Sequence, residues 1–317
     1  MIVCAAANPS IDRLFEVKRL LPGEIHRPAS FLQVPGGKGL NVARATACLD
    51  EPVHAVALVG GHAGRWVAEG LAAGGIDASL AWCEGETRSS LTVLDTADGG
   101  LTEFYERGSA VSGAEWDGFE QAVAEVLPGA DWLTLSGSLP PGAPEDGYAR
   151  LIVHARSAGL RVALDSRGAA LAHGLTSGPD VVKVNVAEAE ETLGASLAAR
   201  ESALAGAVEL ARLCPQPPRL VVVTRGAEGL VAVDDVGRGW SGRSAGGGRY
   251  PVGSGDAFLA GLVTSLARGE EWPRPLALAL AAGAANAELP GPGRLDAARA
   301  QQLAATAELT PVLNLNR

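Results

Sequence analysis

The sequence predicts an α/β fold, with a mainly parallel sheet covered by helices on both faces and a small separate sheet beside it. Three observations predict it. Short apolar runs such as Ile2–Ala6, Val53–Val59 and Leu220–Thr224 alternate with stretches of 3.6-residue apolar spacing. Four other short segments, in two groups, are apolar on one side only and are joined by turn residues. The 317 residues are 47% hydrophobic, enough to bury one large core.

In chain order, Ile2–Ala6 reads as a buried strand ending at Asn8-Pro9. Leu14–Val17 and Ala29–Val34 follow, joined by Leu21-Pro22-Gly23-Glu24. Ser89–Asp95 and Leu101–Tyr105 form a second pair around Asp98-Gly99-Gly100. These four pieces are read as one lid sheet, inserted in two parts at about residues 12–34 and 87–107 into a single domain spanning residues 1–317. Val53–Val59 is a strand before a helix near Arg65–Ala73, and Trp132–Leu135 a strand before a helix near Glu145–Ala158. Val162–Asp165 and Val181–Asn185 are strands, the second leading into a helix from about Ala187 to Leu193. Leu220–Thr224 and Leu230–Val233 flank the turn Arg225–Gly229. Gly246-Gly247-Gly248 reads as a flexible loop, and helices over Gly255–Arg268, Pro275–Glu288 and Asp296–Ala307 finish the chain. Parallel sheets bind ligands at the carboxyl ends of their strands, so the loops there are where a site is expected.

Composition removes several function classes. A net charge of −10 disfavours nucleic acid and anionic membranes as partners. No run of 18 apolar residues occurs, so no membrane span is expected. Cys4, Cys48, Cys83 and Cys214 show no metal-ligand spacing and read as small buried hydrophobes. With no basic region before the apolar Ile2–Ala7, a signal peptide is not expected and a cytoplasmic location is. The five histidines form no i,i+4 pair that could hold a metal. Ala5-Ala6-Ala7-Asn8-Pro9 is not the GxGxxG that a dehydrogenase places after its first strand.

Two glycine-rich stretches carry chemistry. Tyr250-Pro251-Val252-Gly253-Ser254-Gly255-Asp256 runs into a helix with apolar residues at Phe258, Leu259, Leu262, Val263 and Leu266. The first turn of such a helix presents unpaired N–H groups and a positive dipole end, which suits a phosphate. Asp256 would repel that anion; it suits a base that deprotonates a hydroxyl attacking the phosphate, or simply a helix cap. Pro35-Gly36-Gly37-Lys38-Gly39-Leu40-Asn41-Val42-Ala43 opens a helix to about Leu49. It is not a Walker A loop; its glycines allow close approach, and Lys38 and Asn41 can reach a polyhydroxylated or anionic ligand.

Together, in this order, GGKGxNxA and GSGD resemble the pfkB (ribokinase-like) family of carbohydrate kinases, from Asn8 to at least Asn286. The resemblance implies a three-layer α/β/α core with a small β-sheet lid, and transfer of the ATP γ-phosphoryl group to a sugar hydroxyl. It implies Asp256 as base, with the amides of Gly253, Ser254, Gly255 and Asp256 as an anion hole. Asp12, Gly37, Lys38 and Asn41 correspond to sugar-contacting positions. Thr224, Gly226 and Gly229 resemble the nucleotide loop, and Lys183-Val184-Asn185-Val186-Ala187-Glu188 the segment whose Lys183 and Asn185 serve ATP and whose Glu188 helps hold Mg²⁺ through water. Read without the family, Glu188 is a solvated first-turn glutamate. Asn286 is expected near the adenine.

Ser136-Gly137-Ser138-Leu139-Pro140-Pro141-Gly142, Asn8-Pro9-Ser10-Ile11-Asp12, Thr87-Arg88 and Thr102-Glu103 resemble the phosphosugar branch, whose members act on fructose 1-phosphate, tagatose 6-phosphate or fructose 6-phosphate. Fructose 1-phosphate is the expected acceptor, with fructose 1,6-bisphosphate as product. Lys38, Arg88 and Arg107, with Arg27 further back, are candidates for the far-end phosphate, since an arginine fork binds two phosphate oxygens. The lid departs from the branch at Arg88-Ser89-Ser90 and at Tyr105-Glu106-Arg107-Gly108-Ser109, which leaves open an unphosphorylated sugar or nucleoside acceptor, and a non-catalytic sugar-phosphate sensor. Val184 and Ser254 are smaller departures. The apolar side of the lid is expected to pair with a second lid in a homodimer.

Overall fold

The computed structural model describes residues 1–312. Two sheets organise them. The large one contains β1 (Ile2–Ala6), β4 (Val53–Gly60), β5 (Asp77–Cys83), β8 (Trp132–Ser136), β9 (Arg161–Asp165), β10 (Val181–Asn185), β11 (Leu220–Thr224), β12 (Leu230–Asp234), β13 (Gly239–Arg243) and β14 (Glu308–Val312). Its order is β14-β13-β12-β11-β10-β9-β8-β1-β4-β5. From β11 to β5 every neighbouring pair is parallel; β12, β13 and β14 are added antiparallel at one edge.

The sequence of β1 explains the layering. Ile2, Cys4 and Ala6 point into one apolar cluster, and Val3, Ala5 and Ala7 into another. A strand buried on both faces has no place for polar alternation, hence the unbroken apolar run. The first cluster is completed by α1 (Lys38–Cys48), α2 (Gly61–Ala73), α8 (Ser254–Ala267), α9 (Arg274–Glu288) and α10 (Ala297–Ala305). On the other face pack α3 (Gly113–Val126), α4 (Gly147–Ser157), α5 (Gly168–Thr176), α6 (Val186–Leu193) and α7 (Arg200–Arg212), around Trp116, Phe119 and Tyr148. The result is the expected three-layer α/β/α core. α8 is buried from Asp256 through Leu266, because α1 and α9 flank it against the sheet.

The second sheet, in the order β3-β2-β6-β7, contains β2 (Ser10–Val17), β3 (Ser30–Gly36), β6 (Arg88–Asp95) and β7 (Leu101–Tyr105). β2 and β6 run parallel, and the outer pairs are antiparallel. Register sorts its two faces. Asp12 lies beside Val34 and Ser90, and Ser90 beside Tyr105; the face they share is the one that meets the core. On the opposite face Phe15 and Phe31 make an edge contact at 5.4 Å, and Phe31 and Phe104 are 57% and 59% exposed.

Several elements differ from the sequence reading. β2 begins at Ser10, not Leu14, because the ladder continues through Asp12 to the Ser10–Gly36 pair. β5, α3, α5, α7, β13 and β14 are further elements outside that reading, although α3 carries Trp116, Phe119, Val123 and Val126 at helical spacing after a Ser112–Glu115 capping box. β5 is an edge strand, and β13 (Gly-Trp-Ser-Gly-Arg) is held by its neighbours rather than by its own propensity. Gly248 is not a free hinge: a Cβ there would lie 1.9 Å from Ala287 O. Cys4 and Cys214 are buried as expected, whereas Cys48 and Cys83 are only half-buried.

Candidate active site

The carboxyl ends of β1, β8, β9, β10 and β11 converge with the N-termini of α1 and α8. Gly37 precedes α1 with φ 85°, a conformation that favours glycine. Asp12 lies over this turn, so close that a Cβ on Gly36 would be 2.0 Å from its Cγ. Its Oδ2 accepts from the Gly37 N–H at 3.2 Å, and its Oδ1 accepts from the Ser10 hydroxyl at 2.5 Å.

Asp256 sits in the first turn of α8 and is only 6% exposed. The Asn41 amide donates to its Oδ2 at 2.9 Å. Burial pushes its pKa up to about 7; Lys38, Lys183 and the Asn41 bond pull it down, while Asp165 adds to the rise. Asp256 makes no side-chain cap, since Gly253 occupies the N-cap position with φ 82°. Any Cβ on Gly253 would lie 2.6 Å from Pro292 Cα.

The four expected anion-hole amides divide into two kinds. The Ser254 and Asp256 N–H groups are used within the turn, donating to Pro251 O at 3.0 Å and Gly253 O at 3.1 Å. Among the described residues the Gly253 and Gly255 N–H groups have no partner, so these two amides are the ones left open to a ligand.

Beside this turn lies a charge cluster that centres on Asp165, a residue absent from the expected site. Asp165 is fully buried at the end of β9 and bridges Lys38 Nζ and Lys183 Nζ, each at 2.7 Å. Lys38 also pairs with Glu188 at 2.8 Å. Burial works against the Lys38 charge, but Asp165, Glu188 and Asp256 outweigh it and hold the ammonium above the ordinary lysine value. Burial likewise opposes the Asp165 charge, and the two lysines overcome it, holding that carboxyl below its usual range. Lys183 Nζ reaches the α8 N-terminus: a Cβ on Gly255 would lie 3.0 Å from it. Asp165 was findable, as the polar residue closing an apolar run in a parallel sheet.

The remaining expected residues are placed as follows. Glu188 is not a solvated glutamate: it is 7% exposed and forms a capping box with Asn185, each accepting from the other's backbone N–H at 2.9 Å. Thr224 ends β11 and donates to Val184 O, and Gly226 and Gly229 both take positive φ in the turn after it. Asn286 does not face an open nucleotide groove. Fully buried, it donates to Val252 O, Tyr250 O and Ser254 Oγ and accepts from the Gly293 N–H at 2.7 Å, so it clamps the glycine turn from behind. Arg88 is not a free phosphate ligand: it donates to Asn8 O and Glu106 O, leaving two of its five N–H groups uncommitted. Arg107 and Arg27 are exposed. Lys38 is drawn away from a far-end phosphate by its two carboxylates. No helix among the described residues is long and apolar enough to cross a membrane.

A buried carboxylate at a helix N-terminus, facing lysines and open amides, suits phosphoryl transfer, and the comparisons decide the family. Residues 2–298 match the description "pfkB family carbohydrate kinase". The chain belongs to this family. Among relatives of this carbohydrate kinase, a 1-phosphofructokinase of Rhodobacter capsulatus is 33% identical over 302 residues, covering 93% of this chain and 95% of that protein. Phosphofructokinase-2 from Escherichia coli, in complex with substrates and products, superimposes with a TM-score of 0.87 at 27% identity, covering 96% of this chain and 98% of that one. Arabidopsis thaliana ribokinase shares the fold, with a TM-score of 0.74 at 20% identity and coverage of 96% and 98%.

Proposed function

We propose that this kinase transfers the γ-phosphoryl group of ATP to a primary hydroxyl of a phosphorylated ketohexose, with fructose 1-phosphate as acceptor and fructose 1,6-bisphosphate as product. The observation that carries the chemistry is Asp256, buried beside two unpaired amides with its pKa pushed up to about 7. A base with that affinity for protons is about half ionised at neutral pH and accepts a proton readily, the match between pKa and working pH that general-base catalysis needs. The 1-phosphofructokinase relative supports the choice of acceptor.

In this reading Asp12 and Asn41 hold the sugar hydroxyls, and Asp256 Oδ1 takes the proton while the Asn41 amide holds Oδ2. The Gly253 and Gly255 amides meet the charge that develops on the transferring group, each contributing about 2.7–4 kcal/mol. Lys183, beside Gly255, adds a fixed positive charge there. ATP lies across the turns after β10 and β11, near Asn185, Thr224, Gly226 and Gly229. Mg²⁺ keeps most of its waters and takes one or two protein carboxylates besides phosphate oxygens. Glu188 fits that demand, since each of its oxygens retains a lone pair; no cluster of three or more His, Cys, Asp or Glu able to hold a metal occurs among the described residues. When bound, the ion would offset phosphate charge. The substrate phosphate would meet the two free N–H groups of Arg88, with Arg107 at the lid edge. The exposed Phe31–Phe104 face of the lid suits pairing with a second copy in a homodimer, and acidic charge with unpaired cysteines fits a cytoplasmic enzyme.

The test is ADP release with Mg·ATP against fructose 1-phosphate, fructose 6-phosphate, tagatose 6-phosphate, free fructose and a nucleoside. Fructose 1-phosphate is expected to give the highest kcat/KM. Preference for free fructose or a nucleoside would refute the phosphosugar assignment, and no turnover with any acceptor would favour a sensor.

A further inference from the structure

Arg44 lies one turn beyond Asn41 on α1 and has no role in the machinery above. It donates from Nη1 to Asn41 Oδ1 at 3.2 Å and to Pro292 O at 2.8 Å, and from Nη2 to Pro35 O. These acceptors belong to three segments that meet at the site: α1, the strand end before the Gly36–Gly37 turn, and the 291–293 turn. The last of these packs against both the Gly253 turn and Asn41, since a Cβ on Gly293 would lie 2.4 Å from Asn41 O.

A guanidinium has N–H donors and no acceptor, so the Asn41 atom facing Arg44 must be the carbonyl oxygen. The Asn41 NH₂ group is therefore the one that faces Asp256. Turned the other way, Asn41 would set its carbonyl oxygen against the Asp256 carboxylate and its NH₂ against the guanidinium, and both contacts repel. The amide orientation thus follows from the chemistry of its two neighbours.

We propose that Arg44 is a positioning residue for phosphoryl transfer: by holding the Asn41 carbonyl it fixes the Asn41 amide on Asp256 Oδ2 and leaves Oδ1 to the acceptor hydroxyl. The inference rests on the reading of Asp256 as the base. The surrounding charges set the direction of its pH effect. Asp256 faces Lys38 of α1, Lys183 of β10 and Asp165 of β9. Arg44 faces Asp12 of β2, Cys48 of α1, Arg294 after the 291–293 turn and Asp256 itself; burial lowers its pKa to about 10, which still leaves it charged at neutral pH. Removing this cation takes away both a favourable charge and the lock on a hydrogen bond to the ionised base, so the Asp256 pKa rises.

The test compares kcat, KM and the acid limb of kcat/KM between pH 5.5 and 9 in wild type, Arg44→Met, Arg44→Lys and Asp256→Asn, with Mg·ATP and the acceptor that the ADP-release panel selects. Arg44→Met is expected to lower kcat about 10- to 100-fold with KM for ATP unchanged, and to move the acid limb up by about half a unit or more. Arg44→Lys keeps the charge but loses the fork, so kcat falls about tenfold while the acid limb stays near wild type. In an Asn41→Ala background, Arg44→Met adds little further fall in kcat. A Met variant with wild-type kcat and acid limb overturns the inference, as does one that loses kcat and melting temperature together with its acid limb unmoved. Should the Met variant fail to fold, wild-type kcat in Arg44→Lys overturns it. Near-normal turnover by Asp256→Asn overturns the base reading, and this inference with it; an inactive Asp256→Asn beside an unaltered Arg44→Met overturns this inference alone.

Discussion

Asp256→Asn is expected to lower kcat by about 10²–10⁴-fold with little change in KM for ATP, because the amide fills the same space but cannot take a proton. The same substitution is expected to stabilise the fold. The folded pKa of Asp256 is raised, to about 7 against an ordinary 3.8, so the native state binds this proton more tightly than the unfolded chain does. That preference contributes stability fully below the unfolded value, and the contribution is lost as pH rises through the folded value. At pH 8 the wild type therefore holds an ionised carboxylate that burial disfavours, and the asparagine variant does not. Steady-state kinetics and thermal melts at pH 8 check both halves; a variant that loses turnover by losing stability would show Asp256 to be structural.

Asp165→Ala is expected to be among the most destabilising single changes in the molecule. It strands two ammonium groups, one of them the 3%-exposed Lys183, without their shared counter-ion. Breaking a buried ion pair in this way costs about 3–5 kcal/mol, far more than the pair contributes relative to an apolar filling. A depressed carboxylate pKa also gives the wild type a pH signature. The stabilisation from Asp165 is present above the ordinary carboxylate value and lost as pH falls through the lower, folded one, so acid sensitivity is a wild-type property that the variant lacks. Urea titrations at pH 7 and pH 3, the second below the ordinary carboxylate value, check this: a large deficit is expected at pH 7 and a smaller one at pH 3. Equal deficits at both would mean that charge is not the cause.

Much of this site was legible in the sequence because glycines and a helix start are local signals. Gly253 and Gly37 sit at positive φ where their spacing placed turns, and Asp256 lies in the helical turn that the Phe258–Leu266 periodicity required. The strands of the parallel sheet were equally plain, since burial on both faces removes polar residues from them. Partners distant in sequence were not legible. Nothing local to Lys38 says that its ammonium pairs with residues 127 and 150 positions away, and nothing in the α1 periodicity marks Arg44 as different from a surface arginine. Asn286 shows the same limit from the other side: its position was noted, but its amide proves to be consumed by the Tyr250 and Val252 carbonyls, the Ser254 hydroxyl and the Gly293 N–H. Motif spacing identifies residues that share a site; which of them face a ligand and which face each other depends on packing.

The measurement that bears most directly on the account is the pH dependence of kcat/KM for fructose 1-phosphate at saturating Mg·ATP, from pH 5.5 to 9. An acid limb with an apparent pKa near 7, absent from the residual activity of Asp256→Asn, is the expected result. A rate that stays flat across this range, or an acid limb retained in the asparagine variant, would contradict the assignment of Asp256 as the base.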